Sequence, residues 1–207
     1  METDQIRSKS LSILAKAGLS ILISLPVLDD GLELRDQDEV LNRLLSMGPV
    51  AAASCGFDRV KSLAWLRREK LVASLTDAEI RFLERGDGPP EHFQTQIEAM
   101  WVLAWALCLV PQLDFWKDCD NHFVTLMPNL KVSQSSSELR RKAQLRPRDE
   151  LVTACDLAYC LHWVIRQAEI EGKEPPSGLK SYVIVERRRA LEWLLSKESW
   201  DAISLDT

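Results

Sequence analysis

Apolar residues recur at three- and four-residue spacing through most of the chain, the repeat of a helix with one buried face. Over residues 4–17, Ile13, Leu14 and Ala17 follow it, and Gly18 stops the helix. Residues 36–39 (Asp-Gln-Asp-Glu) fit a capping box that opens a helix through Val40, Leu41, Leu44, Leu45 and Met47. Gly48-Pro49 disturbs that helix, which resumes over 51–53. Residues 57–71 are amphipathic, with Val60, Leu63, Ala64 and Leu71 on the apolar side. Residues 76–79 form a second capping box, for a short helix ending at Gly86. Pro90 suits a first helical position and opens a helix over 91–110. Residues 115–132 have no clean period and read as loop, and 135–138 open a short polar helix. The best strand candidate is 19–25 (LSILISL), but one strand makes no sheet.

Two stretches depart from the one-faced pattern. Residues 100–110 and 148–168 are apolar nearly all round, as central helices are, and are expected to pack against each other. The second carries Asp156, between Trp163 and Cys160 on the wheel, and His162, between Leu151 and Cys155. The two lie about 120° apart by the helical repeat, so each needs a partner from another element, and Arg187 is the candidate for Asp156. The helix expected over 183–195 places Arg187 and Glu186 inside its apolar arc, with Arg188, Arg189 and Glu192 facing water. Glu98 is the charge beside the apolar run 99–110. Ions in such places must be paired, since a lone buried ion costs several kcal/mol. Trp200, Asp201 and Asp206 suggest a docked tail rather than a frayed one; the alternative is a groove in which Asp201 and Asp206 join Glu186.

Four segments carry a resemblance: LRPRDEL (145–151), ACDLAYCLHW (154–163), VIVERRRALEWLL (183–195) and WDAISLDT (200–207). Upstream, Leu25-Pro26, Leu34-Arg35, Glu39, Arg43, Glu98-Ala99 and Trp105-Ala106-Leu107 fit the same pattern. Over essentially its whole length the chain resembles the domain-of-unknown-function family DUF4272. It departs from the family at 95–97, where Thr-Gln-Ile stands in place of a Trp-Arg pair, and at Cys108, where the family tends to have Gly. The resemblance implies no activity and no catalytic residues.

The fold class is therefore all-α: one compact helical bundle over 1–207 with two central apolar helices and at most a minor extended segment near 19–25. At 207 residues, 46% hydrophobic and with seven Trp, the chain can bury a sizeable core. Five cysteines without a CxxC pair, three of them in apolar runs, indicate a reduced, cytoplasmic protein. No secretory leader is expected, because Asp4 and Lys16 break up the first apolar stretch. No membrane span is expected, because the longest apolar run is about half the roughly 20 residues needed. A net charge of −5 argues against a nucleic-acid partner, and the basic residues at 140–148 read as solvated helix faces. The Asp118–His122 stretch matches no metal-site spacing, and His92, His122 and His162 lack the Glu three residues earlier that di-metal helices use, so no metal or cofactor is expected.

Function divides into two expectations. The first is a non-enzymatic bacterial interaction module that shows an acidic surface to a protein partner, of immunity or antitoxin type by analogy. The second is a small-ligand binder or enzyme built on a buried carboxylate and arginine cluster. Its candidate residues are Glu98, Asp156, His162, Glu186, Arg187, Asp201 and Asp206. The first is preferred because no nucleophile, phosphate loop or catalytic constellation accompanies the cluster.

Overall fold

The computed structural model describes residues 3–22, 24–28, 31–176 and 178–206, and among these it has nine α-helices, four 3₁₀ turns and no strand. Ile23 and Thr207, which fall in segments singled out from the sequence, lie outside the described residues. The chain divides into two compact units. One comprises Met1–Arg35, Asp114–Asp118 and Arg146–Thr207; the other comprises Asp36–Leu113 and Cys119–Leu145.

The first unit is built on α8 (Arg148–Ile170), against which α1 (Thr3–Lys16) and α9 (Ser181–Leu194) pack. The side chains of Leu151, Cys155, Ala158, Leu161 and Ile165 are buried on it, as its all-round apolar wheel requires. Leu14 of α1 and Ile184, Ala190, Leu191 and Leu194 of α9 complete that core. After α9 the chain closes back on the helix. Trp200 in a 3₁₀ turn meets Trp193 edge to face at 5.5 Å, and Ile203 is buried. Arg35 lies with its guanidinium 4.1 Å over the Trp193 ring and donates Nε to the Trp193 carbonyl at 2.8 Å. That contact adds a side-chain donor to a carbonyl in the last turn of α9, which also accepts the Ser196 amide at 3.3 Å.

The second unit is organised by α2 (Gln37–Ser54), which packs on α3 (Arg59–Arg68), α4 (Asp77–Arg85), α5 (Pro90–Thr95) and α6 (Ile97–Ala106). Asp36 caps α2 by accepting the Glu39 amide at 2.8 Å. The expected disturbance at Gly48-Pro49 is not there: α2 runs through both, and the Pro49 carbonyl accepts from the Ser62 hydroxyl at 3.1 Å. Arg43, buried on α2, chelates Glu79 with two 2.8 Å bonds. Glu79 also closes the capping box of α4, since it accepts the Thr76 amide at 2.9 Å. One carboxylate thereby starts α4 and ties it to α2. A short α7 (Ser137–Lys142) follows the loop that carries the 3₁₀ turns Phe123–Thr125 and Leu130–Val132.

Two further expectations about this unit need correction. The long helix over 91–110 is two helices, α5 and α6, meeting at Gln96. The apolar side assigned to α3 is wrong too. Val60 is 76% exposed, while Ser62, Trp65 and Leu66 face inward. Ser62 and Trp65 can do so because each has an acceptor, Trp65 Nε1 donating to the Gln134 carbonyl at 2.7 Å.

Candidate functional site

The charged residues singled out from the sequence are buried, but they do not converge. Asp156 is 1% exposed and is held by Arg7 of α1, with Nη2–Oδ1 2.8 Å and Nε–Oδ1 3.1 Å. The same guanidinium donates to the carbonyls of Leu25 and Pro26 at 3.0 and 2.7 Å, so it also fixes the chain that follows α1. Burial works against the Arg7 cation, but the hydrogen bond and charge of Asp156 outweigh it and its pKa is raised. Beside the pair lies Cys160, whose thiol is pushed up to about 12 by burial and then by Asp156.

Arg187 is therefore not the partner of Asp156. It reaches the other way, and its Nη1 and Nη2 donate to the main-chain carbonyls of Asp114 and Lys117 at 2.6 and 2.8 Å. The reason is local. Residues 114–118 form an irregular crossing segment whose carbonyls have no ladder to satisfy them, and a five-donor fork at 1% exposure supplies the hydrogen bonds. Glu186, one residue earlier and 7% exposed, has Arg189 Nε at 3.9 Å from its Oε2.

Arg188 was expected to face water and is 3% exposed instead. It joins three parts of the first unit. Nη1 lies 2.6 Å from His162 Nδ1, Nη1 and Nη2 donate to the carbonyls of Leu205 and Asp206, and Nε meets Glu192 at 3.2 Å. The Tyr159 ring lies 4.7 Å from the same guanidinium. Because Arg188 can only donate, His162 Nδ1 must accept, which puts the imidazole proton on Nε2. Burial first, then Arg188 and Arg166, push the His162 pKa down to about 4. Asp206 thus enters through its backbone, while its carboxylate accepts from the Ser204 hydroxyl at the surface; Asp201 is exposed.

Glu98 belongs to the second unit, on α6, and accepts the Cys119 amide at 2.9 Å. Of the seven residues, His162 and Asp206 are joined, through Arg188. Glu98 and Arg187 attach to backbone, Asp156 to the Arg7 side chain and Glu186 to that of Arg189, and Asp201 stands at the surface. Two participants that the sequence reading missed, Arg7 and Arg188, carried a readable signal. Arg7 stands one heptad before Leu14 and Arg188 one heptad before Leu195, so both point along buried stripes.

A feature with binding geometry lies elsewhere, in the second unit. A cleft of about 750 Å³ opens between α2, α3, the α5–α6 junction and the loop 123–134. Leu45, Trp65, Met100 and Phe123 are its buried surfaces, and half-buried Ala52, Phe57, Ile97 and Met127 line it nearer solvent. Gly48 shapes it. A Cβ there would stand 3.0 Å from the Met127 methyl, so the missing side chain lets the loop lie close to α2. None of the seven sequence candidates lines this cleft. The loop's disorderly pattern hid it, although Phe123, Leu126, Met127 and Leu130 within eight residues are many apolar groups for a surface segment.

No described helix is long and apolar enough to cross a membrane. The family model of a domain of unknown function, DUF4272, matches residues 6–203. No curated protein and no solved structure matches the chain.

Proposed function

The chain belongs to the DUF4272 family, and we propose that it is a non-enzymatic binding module whose recognition element is the apolar cleft of its second unit. The observation that carries this reading is the cleft itself: about 750 Å³, with one charged residue among the twenty that line it. That is the size and chemistry of a small-molecule site, an apolar body with a few polar groups to set orientation. Binding there would draw on removal of apolar surface from water, about 25 cal/mol per Å² before the costs of association.

The charge cluster of the first unit favours a structural role. The Arg187 fork is occupied by main-chain carbonyls and Asp156 by Arg7, which supports a structural role over acid–base chemistry there. Five cysteines, none joined to another, support a reducing and hence cytoplasmic setting. A second reading follows the acidic composition: the cleft receives an apolar side chain from a protein partner. Val124, 61% exposed and part of the cleft lining, favours it.

The test is calorimetric titration of octanol, a neutral apolar probe, into the wild type and Ala52→Trp. Ala52 is half-buried and lines the cleft, so an indole there fills the space without entering the core. Saturable binding to the wild type that Ala52→Trp abolishes supports the reading. Equal heats from both proteins would overturn it.

A further inference from the structure

Six residues with polar side chains line the cleft: Cys55, Gln94, Thr125, Asn129, Lys131 and Gln134. Four of them each make a hydrogen bond to the protein's own backbone, and none of these four carries a charge. Gln94 donates to the Ser54 carbonyl at 2.9 Å and Thr125 to the His122 carbonyl at 2.7 Å. Asn129 accepts the Lys131 amide at 3.0 Å, and Gln134 accepts the Asn129 amide at 2.9 Å. Cys55 offers only a weakly polar thiol. The Lys131 ammonium is different. It is exposed, it is the single charge in the lining, and it enters no ion pair or side-chain hydrogen bond among the described residues.

The turn that carries Lys131 is held in place. Besides the Asn129 and Gln134 bonds, the Gln134 amide donates to the Asn129 carbonyl at 3.0 Å, and Trp65 Nε1 anchors the Gln134 carbonyl at 2.7 Å. Arg68 donates to the Ser133 carbonyl at 2.8 Å from outside the cleft. The turn thus carries a cation at the lip of an apolar cavity, on a chain whose net charge is −5. The overall charge repels anions, so a local preference for one must come from this residue.

Resting on the binding role proposed above, we infer that the cleft takes an amphiphilic carboxylate, an aliphatic or aromatic body with one anionic head set against Lys131. The apolar body fills the space between α2 and the loop 123–134. The head stays at the rim, where it remains partly hydrated and pairs with the ammonium, so no ion is buried alone. Met100 and Met127, unbranched and adaptable, let the cavity accept bodies of differing shape and make the head the more selective contact.

The test compares three eight-carbon probes, octanoate, octanol and octylammonium, by calorimetry against the wild type, Lys131→Gln and Ala52→Trp at low salt. Octanoate is expected to bind more tightly than octylammonium, against the sign of the protein's net charge. Lys131→Gln is expected to weaken octanoate roughly two- to five-fold, as for a solvent-exposed ion pair, and to leave octanol unchanged. Added salt should shrink the octanoate preference. Ala52→Trp removes all binding. If octanol binds the cleft but octylammonium binds as well as octanoate, or Lys131→Gln changes nothing, the carboxylate inference fails while the cleft reading stands. If no probe binds the wild type, both fail. Lys131 is exposed, so its replacement does not threaten the fold, and the comparison of head groups needs no variant at all.

Discussion

Arg7 and Asp156 are 149 residues apart in sequence and form a buried ion pair, with the guanidinium Nη2 2.8 Å from Oδ1 and the carboxylate 1% exposed. The contact ties α1 to α8, and through the Leu25 and Pro26 carbonyls it sets the path of the chain after α1. Removing one partner strands the other. Asp156→Asn or Arg7→Met is therefore expected to cost about 3–5 kcal/mol in urea unfolding, because a desolvated ion loses its counter-charge. The double variant Arg7→Met/Asp156→Leu should recover part of that loss, though the two carbonyls remain without their donor. Single variants as stable as the wild type would contradict the structural role given to the pair.

His162 makes stability depend on pH. Its folded pKa is about 4 against an ordinary 6.5, so between those values the unfolded chain binds the proton and the folded chain does not. Stability contributed by neutral His162 is full above pH 6.5 and falls as pH drops toward 4, by up to roughly 3 kcal/mol. His162→Gln keeps an acceptor for Arg188 and removes the titration. Urea unfolding at pH 7 and pH 4.5 should show a smaller loss for the variant than for the wild type. Equal losses would place the pH dependence in other groups.

Cys108 takes a left-handed backbone, φ 55°, at the end of α6. Its amide and that of Leu109 bond back to the Trp105 and Ala104 carbonyls, closing the helix in the manner that glycine favours. This is the position where the chain departs from the family's Ala-Leu-Gly. Cys108 is exposed and loses no packing when truncated, so Cys108→Gly is expected to stabilise by about 0.5–1 kcal/mol. A lower thermal midpoint for the variant would refute the strain argument.

The long helices were legible because their information is local. Asp36 and the Thr76–Glu79 box mark helix starts, and the all-round apolar wheel of α8 announces a central helix. Partner choice was not legible, because it depends on which element comes alongside. The sequence can say that Asp156 needs a cation; it cannot say that Arg7 arrives and Arg187 turns to the carbonyls of 114–118. The α3 face was misread for a related reason: hydropathy favours Val60 over Ser62 and Trp65, whereas hydrogen-bond acceptors brought in by Pro49 and Gln134 make the polar pair the buried one. The cleft lay furthest from sight, since one wall is a loop without periodicity and its floor needs Gly48 to be bare.

The thiols give a chemical check on these placements. Cys55 and Cys108 are exposed, while Cys155 and Cys160 are buried with their pKa values raised. A disulfide reagent should modify the first two in the native protein and reach the last two only on unfolding. Because Cys55 lines the cleft and Cys108 does not, octanoate should slow the reaction of Cys55 alone. Protection of neither thiol, or of both alike, would contradict binding in the cleft.

The most direct test of the account is to map, by amide chemical shifts, where octanol perturbs the labelled protein during a titration. Saturable shifts are expected at residues 45–57, at Trp65, and at 94–100 and 123–134, the walls of the cleft. Shifts centred instead on Asp156, His162, Glu186 and Arg187 would contradict the account and return the binding role to the buried charges.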